Sequence, residues 1–335
     1  MTSISRRVGA ILAVSALALA ACSSGSSSRK PGASTSSTSA GAAATTTAPA
    51  TLRIAPAAWT LPAPVTRAVA ATVGGQIVIL GGIRNGNTTA IADAIIPATG
   101  QARRDGLLAA GVHDSAVGLI GGRPVLFGGG AGATTDVVQM LQLGGVTKVL
   151  GHLPQRRADN VATQVGNVVY VVGGYDGSAL TPDVLATSDG VQFRVVGRLG
   201  QPVRYPAVAA SGDRIFVIGG ATSGGESAGV DTNVVQQIDV RTGQVTVLAH
   251  LPATLSHASA VTLGGQIYVL GGHVGGRWSD QVARLDPATG GLQVVGHLPR
   301  AVSDAAVTVV DSTAYLLGGE RAPSTPVADV VALAI

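Results

Sequence analysis

Six Gly-Gly pairs, each closing a short apolar run, stand at Gly81-Gly82, Gly128-Gly129, Gly173-Gly174, Gly219-Gly220, Gly271-Gly272 and Gly318-Gly319. Their first glycines lie 47, 45, 46, 52 and 47 residues apart. A regular period of this size points to one supersecondary unit that buries its apolar faces against copies of itself. The runs before the pairs, such as Ile77-Val78-Ile79-Leu80 and Ile267-Tyr268-Val269-Leu270, are β-branched and aromatic and only four residues long, as buried strands are. The 47 glycines, 16 prolines and 12% charged residues suit short strands joined by tight turns. The chain is therefore expected to be all-β.

The fifth unit displays its strands in order. Ala258 to Leu263 is a first strand, Gly264-Gly265 a tight turn, and Gln266 to Leu270 the second strand. Val282 to Leu285 is the third, Asp286-Pro287-Ala288-Thr289-Gly290 a turn, and Leu292 to Val295 the fourth. His297-Leu298-Pro299 ends the unit, and His152-Leu153-Pro154 and His250-Leu251-Pro252 repeat that ending. With its glycine doublets, its Asp-Pro-Ala-Thr-Gly turn and its period, the chain resembles the Kelch family over nearly all of residues 51–335. The resemblance implies a six-bladed β-propeller of four-stranded blades. One departure is the family's fourth-strand tryptophan, replaced here by Val149, Val195, Val247 and Val294. The sixth unit has no fourth strand before Ile335, and the stretch from Leu52 to Pro62 reads as an orphan fourth strand that would close the ring.

In such a blade the first strand lines the central channel. The residue fourteen positions before each first glycine opens that strand and reads Arg67, Asp114, Asp159, Tyr205, His257 and Asp304. Tyr175, His273 and Glu320 follow the glycine pairs on the same face, with Arg84, Arg277, Trp278 and Arg321 in the loops beyond. Converging polar groups at a concave mouth have the form of a small-molecule or peptide site; the same groups would also serve as a lining for channel water. Tyr170, Phe216, Tyr268 and Tyr315 share one column and are expected to pack between blades, which leaves Tyr175, Tyr205 and Trp278 to stack on a ligand.

Among the histidines, His152, His250 and His297 sit at equivalent ends of different units, too far apart to share a metal. His113, His257 and His273 could approach the mouth, but without His-x-His or His-Glu-x-x-His spacing no metal and no cofactor is expected. The block from Thr187 to Phe193 is similar to the Asp-box hairpin turn of sialidase propellers, which is structural. There is no Gly-x-Ser-x-Gly elbow and no phosphate loop.

Before residue 51 the chain has a different character. Arg6 and Arg7 precede an apolar run from Val8 to Ala21, and Leu19-Ala20-Ala21-Cys22 resembles the bacterial lipobox. That reading makes residues 1–21 a lipoprotein signal peptide, Cys22 the lipidated residue, and residues 22–50, rich in Ser, Thr and Ala, a disordered tether. The lipid would anchor the exported chain to the outer face of the bacterial plasma membrane. Cys22 is the only cysteine, so no intrachain disulfide is possible, and with Cys22 taken by the lipid no cysteine is left for the cysteine–tyrosine cross-link of Kelch-type copper oxidases, an activity therefore not expected. Arg6, Arg7, Arg29 and Lys30 are four of the 22 basic residues and no acidic residue precedes Asp93, so residues 51–335 balance 18 basic against 18 acidic groups. Such a surface has no net field to steer a polyanion, which argues against nucleic acid as a partner.

The resemblance implies a monomeric scaffold that binds a protein or carbohydrate ligand of the cell envelope at the channel mouth. The alternative is a sugar-acid isomerase or lyase of the Kelch epimerase type, with Arg67 on a carboxylate and His257 with Asp304 or Asp159 as acid and base.

Overall fold

The computed structural model describes residues 52–145, 147–223 and 230–335, and every regular element among them is a β-strand. Cys22, the expected signal peptide and the expected tether lie outside the described residues. Six antiparallel four-stranded meanders form six blades. The first five span 69–107, 116–152, 161–198, 207–256 and 259–297. The sixth takes three strands from Ala306–Val310, Thr313–Leu317 and Val330–Ala334, and its fourth from Arg53–Pro56. Arg53 pairs with Ala334 and Pro56 with Val331, so the two distant parts of the chain share one sheet.

Each blade is apolar on both faces, which is why the strand sequences run continuously apolar instead of alternating. Successive residues point to opposite sides of a strand. In blade one, Ile77 and Ile79 enter the cluster shared with blade six, while Val78 and Leu80 enter the one shared with blade two. Six such clusters fill the six interfaces. Full burial of an aliphatic side chain contributes about 2 kcal/mol, so packing between blades alone suffices to hold a ring without a disulfide. Of the aromatic column, Tyr170, Phe216 and Tyr268 are buried between blades and Tyr315 stacks on Trp59. Val149, Val195, Val247 and Val294 face outward, each about half exposed at 50%, 50%, 54% and 46%. An indole there would add to exposed apolar surface rather than to the core.

The glycine pairs turn the chain where blades meet. Gly81 and Gly82 have φ of +63° and +88°, and a Cβ on Gly82 would stand 2.7 Å from the Thr66 carbonyl oxygen. The Gly82 N–H meanwhile donates to the Val112 carbonyl at the entrance to blade two. The expected strands of blade five are found within two residues of their observed ends. An additional hairpin, His273–Val274 with Arg277–Trp278, grows from this blade and pairs with Leu255 and Ser256 of blade four. Apolar periodicity carries no sign of it, since it buries little apolar surface.

Candidate functional site

Arg67, Asp114, Asp159, Tyr205, His257 and Asp304 form a closed collar around the channel. Each N–H donates to the carbonyl of the preceding member, from Arg67 to Asp304 at 3.0 Å, Asp114 to Arg67 at 3.0 Å and Asp159 to Asp114 at 2.8 Å. Tyr205 to Asp159 at 2.9 Å, His257 to Tyr205 at 3.1 Å and Asp304 to His257 at 3.1 Å complete the hoop. All six residues are in the left-handed region, with φ between +52° and +59°. That turn frees each N–H and C=O to reach the neighbouring blade and sends the side chain toward the mouth. Asp and His adopt this conformation more readily than most residues; Arg and Tyr do not.

A second tier sits beside the collar. The residue before each collar member bridges to the residue after a glycine pair: Thr66 to Ile83, His113 to Gly130, Ala158 to Tyr175, Arg204 to Ala221, Ser256 to His273 and Ser303 to Glu320. Tyr175, His273 and Glu320 therefore stand beside the collar by main-chain pairing, and the blade-five hairpin brings Trp278 against His273 and Glu320. The Trp278 indole N–H donates to the Glu320 carbonyl at 3.2 Å.

Side chains knit the two tiers together. Arg67 donates to Asp114 at 3.1 Å and, at 3.5 Å, to the Tyr205 hydroxyl. Arg204 pairs with Asp159 at 2.6 Å, donates to the Tyr205 hydroxyl at 3.0 Å, and lies over the rings of Tyr175 and Tyr205. His257 Nδ1 is 2.8 Å from Asp304 Oδ1, and the other Asp304 oxygen accepts from the Ser303 hydroxyl at 3.0 Å. Rings follow one another from Tyr205 to His257 at 4.0 Å, to His273 at 4.8 Å and to Trp278 at 4.4 Å between centroids. On the opposite side His113 Nδ1 meets the Thr88 hydroxyl at 2.7 Å. Under the collar lies a cavity of about 230 Å³, lined by all six collar residues.

The electrostatics follow from burial in this crowd of charges. Burial pushes the Asp114 and Asp159 carboxyls well above the usual range, and each is raised further by a neighbouring carboxylate, although Arg67 and Arg204 pull the other way. Burial works against the His257 imidazolium, but Asp304 outweighs it and the net shift is upward. Asp304 is held below its usual value because the His257 charge and hydrogen bond overcome its burial. Burial and the nearby charges of Arg67 and His257, respectively, lower His113 and His273, and Glu320 is raised by burial and by Asp304. The mouth thus holds the His257–Asp304 pair beside carboxyls that burial makes harder to ionise, with an aromatic wall on one side.

All six collar residues line this cavity, while Tyr175, His273 and Glu320 stand beside the collar in the second tier and Trp278 packs on His273, none of these four in the cavity wall. Three arginines of the loops do other things. Arg84 turns away to Asp93 at 2.7 Å, Arg277 is exposed at the hairpin, and Arg321 pairs with Asp329 in blade six. Arg204 was not among the residues read from the sequence, yet it touches two collar residues. Its only sequence signal is its place one residue before a collar position. His152 and His297 pair with Asp136 and Asp280, each at 3.0 Å, on separate blades. In the Asp-box-like block, Asp189 accepts from the Val191 and Gln192 N–H groups and fixes the hairpin turn. No group of three or more metal-binding side chains occurs among the described residues.

The Kelch motif matches residues 254–290, which carry most of blade five and its hairpin. The Kelch-like protein terF of Aspergillus terreus is 42% identical over 74 residues, a stretch that is 21% of this chain and 16% of that protein. The chain thus matches only a small part of that relative's length. A solved structure described as that of YjhT superposes with a TM-score of 0.71 at 15% identity, covering 82% of this chain and 96% of YjhT, a likeness of fold. The chain thus carries a Kelch motif in one repeat and folds as a six-bladed β-propeller like that of YjhT.

Proposed function

We propose that this propeller is a binding scaffold that recognises a carbohydrate or protein group of the cell envelope at its collar, held at the outer face of the plasma membrane by a lipid on Cys22. The observation that carries the reading is Arg67 and Tyr205 in left-handed backbone at the collar. That conformation costs roughly 1–2 kcal/mol for an ordinary L-residue, where glycine would cost nothing. Both side chains point into one mouth and bond to each other. Carboxyl, guanidinium and imidazole groups beside a wall of Tyr205, Tyr175 and Trp278 are the combination that hydrogen-bonds hydroxyls and stacks on the apolar face of a sugar ring.

The His257–Asp304 pair supports a second reading, in which a sugar acid is isomerised or cleaved with Arg67 on its carboxylate. Fractionated envelope glycans and sugar acids titrated into the purified protein separate the two. The scaffold reading expects saturable binding that Tyr205→Ala and Arg67→Ala weaken about tenfold or more, with the ligand recovered unchanged. Product that His257→Ala and Asp304→Ala abolish while binding persists would replace it by the enzyme reading. Radiolabelled lipid incorporation that Cys22→Ala removes tests the anchor separately.

A further inference from the structure

A second cavity of about 230 Å³ lies on blade six, away from the collar. Its walls come from the loop after blade five, through Pro299, Arg300 and Val302, and from the segment around Trp59. Arg321 and Asp329 complete its rim.

Blade three shows what the same place looks like when it is closed. Counting from the shared Leu-Pro ending and from the glycine pair, Arg300 corresponds to Gln155, Val302 to Arg157 and Arg321 to Asp176. In blade three Gln155 donates to Asp176 at 2.7 Å and latches the two loops together. Arg157, 1% exposed, fills the space beneath and donates to the carbonyls of Gly173 and Asp183. Blade six has arginine at both latch positions, so the latch is replaced by like charges, and valine where the filling arginine would be. Asp329 corresponds to Asp183, which pairs across the strands with Arg198 at 2.9 Å; Arg198 stands just before Leu199, the equivalent residue before Leu61 is Thr60, and Asp329 turns to Arg321 instead. Valine is the repeat's usual residue at that place, as Val65, Val112 and Val203 show, so what sets blade six apart is arginine at both latch positions. The pocket floor is apolar, and its rim carries two guanidinium groups against one carboxylate. Burial and the neighbouring Arg300 both disfavour the Arg321 charge, which Asp329 partners.

We propose that this pocket binds a carboxylate carried on a compact apolar body, with Arg300 and Arg321 on the carboxylate and the side chain against Trp59 and Val302. A free C-terminus ending in an aromatic or aliphatic residue and a small acylated amino acid share this chemistry. Arginine presents two parallel donors that match a carboxylate, and the volume suits one side chain.

The test is calorimetric titration of the purified full-length protein with N-acetyl-L-phenylalanine, with Ala-Ala-Ala-Ala-Phe bearing a free C-terminus, and with the amide of each. Saturable binding of an acid, with at least tenfold weaker binding of its amide, is expected, and the tighter of the two acids identifies the source. Arg300→Gln, at an exposed position, and Arg321→Gln should each cost about tenfold in affinity with the melting temperature unchanged within 2 °C. Tyr205→Ala at the collar should leave the affinity as it is, so failure here and failure of the collar reading are separate results. Equal binding of acid and amide, absence of saturable binding of either acid at millimolar concentration, or equal loss in Tyr205→Ala would overturn the proposal.

Discussion

The collar rests on six residues held at φ between +52° and +59°, and this has a measurable signature at any one of them. Replacing His257 or Asp159 by Ala removes the side chain beyond Cβ; replacing it by Gly removes Cβ as well. The lost hydrogen bonds and stacks are the same in both variants, so their difference isolates the backbone. A Cβ in left-handed backbone costs roughly 1–2 kcal/mol, while Gly gives back about 0.5–1 kcal/mol through the larger entropy of its unfolded chain. Gly should therefore be more stable than Ala by about 0.5–1 kcal/mol at both positions. In urea, with a slope near 3 kcal/mol per M for a domain of this size, the midpoint of the Gly variant should lie about 0.2–0.3 M higher. Ala162, in the first strand of blade three, is the control. There Ala→Gly should move the midpoint the other way by a similar amount. If Ala were as stable as Gly at His257 and Asp159, the collar's backbone would not be under the stated constraint, and the cost assigned to Arg67 and Tyr205 would lose its basis.

Deleting residues 51–60 removes the strand Arg53–Pro56 and the Trp59 contacts, and should lower the melting temperature by several degrees; an unchanged transition would show that the sixth blade stands without them. Trp59 donates to the Pro97 carbonyl at 2.8 Å and packs on Gly100, so Trp59→Ala should cost about 2–3 kcal/mol in chemical denaturation. Gly100, at φ +71°, would direct a Cβ onto the Cβ and Cγ of that tryptophan. Gly100→Ala should be several times more harmful in the wild type than in a Trp59→Gly background, which lacks both atoms, and simple additivity would count against the contact. The raised Asp159 carboxyl favours the folded state when protonated. Its effect is thus lost as pH rises from the unfolded value near 4 through its folded value of about 7. Asp159→Asn should be less destabilising at pH 8 than at pH 4, the direction that its raised carboxyl requires, as measured by chemical denaturation at the two pH values. His257 and Asp304 shift in opposite senses, so their pair stabilises the fold above about pH 4 and loses that contribution as pH rises past the raised imidazole value; His257→Gln should flatten the alkaline limb of the stability profile.

The period of the glycine pairs made the blades legible, because each pair marks a main-chain turn that no other residue enters cheaply and each apolar run must be buried on both faces. Such constraints repeat, and repetition is visible in one sequence. The site was legible only in part. Counting fourteen residues back from each pair located the collar, but the mixture of charged and aromatic groups there has two causes that sequence does not separate. Left-handed backbone by itself favours Asp at 114, 159 and 304 and tolerates His at 257. It offers no reason for Arg67 or Tyr205, so these two carry the functional weight that the sequence spread evenly over six. Arg204 escaped notice for the converse reason. Its backbone makes the same bridge as its five counterparts, and only the fold puts its guanidinium between the rings of Tyr175 and Tyr205.

The blade-six pocket extends the same logic. A repeat protein contains its own controls: the other five blades show which residues a place ordinarily takes, and blade six, alone in having arginine at both 300 and 321, reports a separate demand. At the collar that demand appears as strained backbone under Arg67 and Tyr205. In blade six it appears as two like charges where blade three makes a hydrogen bond. Both departures lower stability locally, and neither improves the packing between blades, which Phe216 and its equivalents already complete. A ring held by six redundant interfaces can tolerate such losses at a few positions, and those positions are where its ligands should be sought.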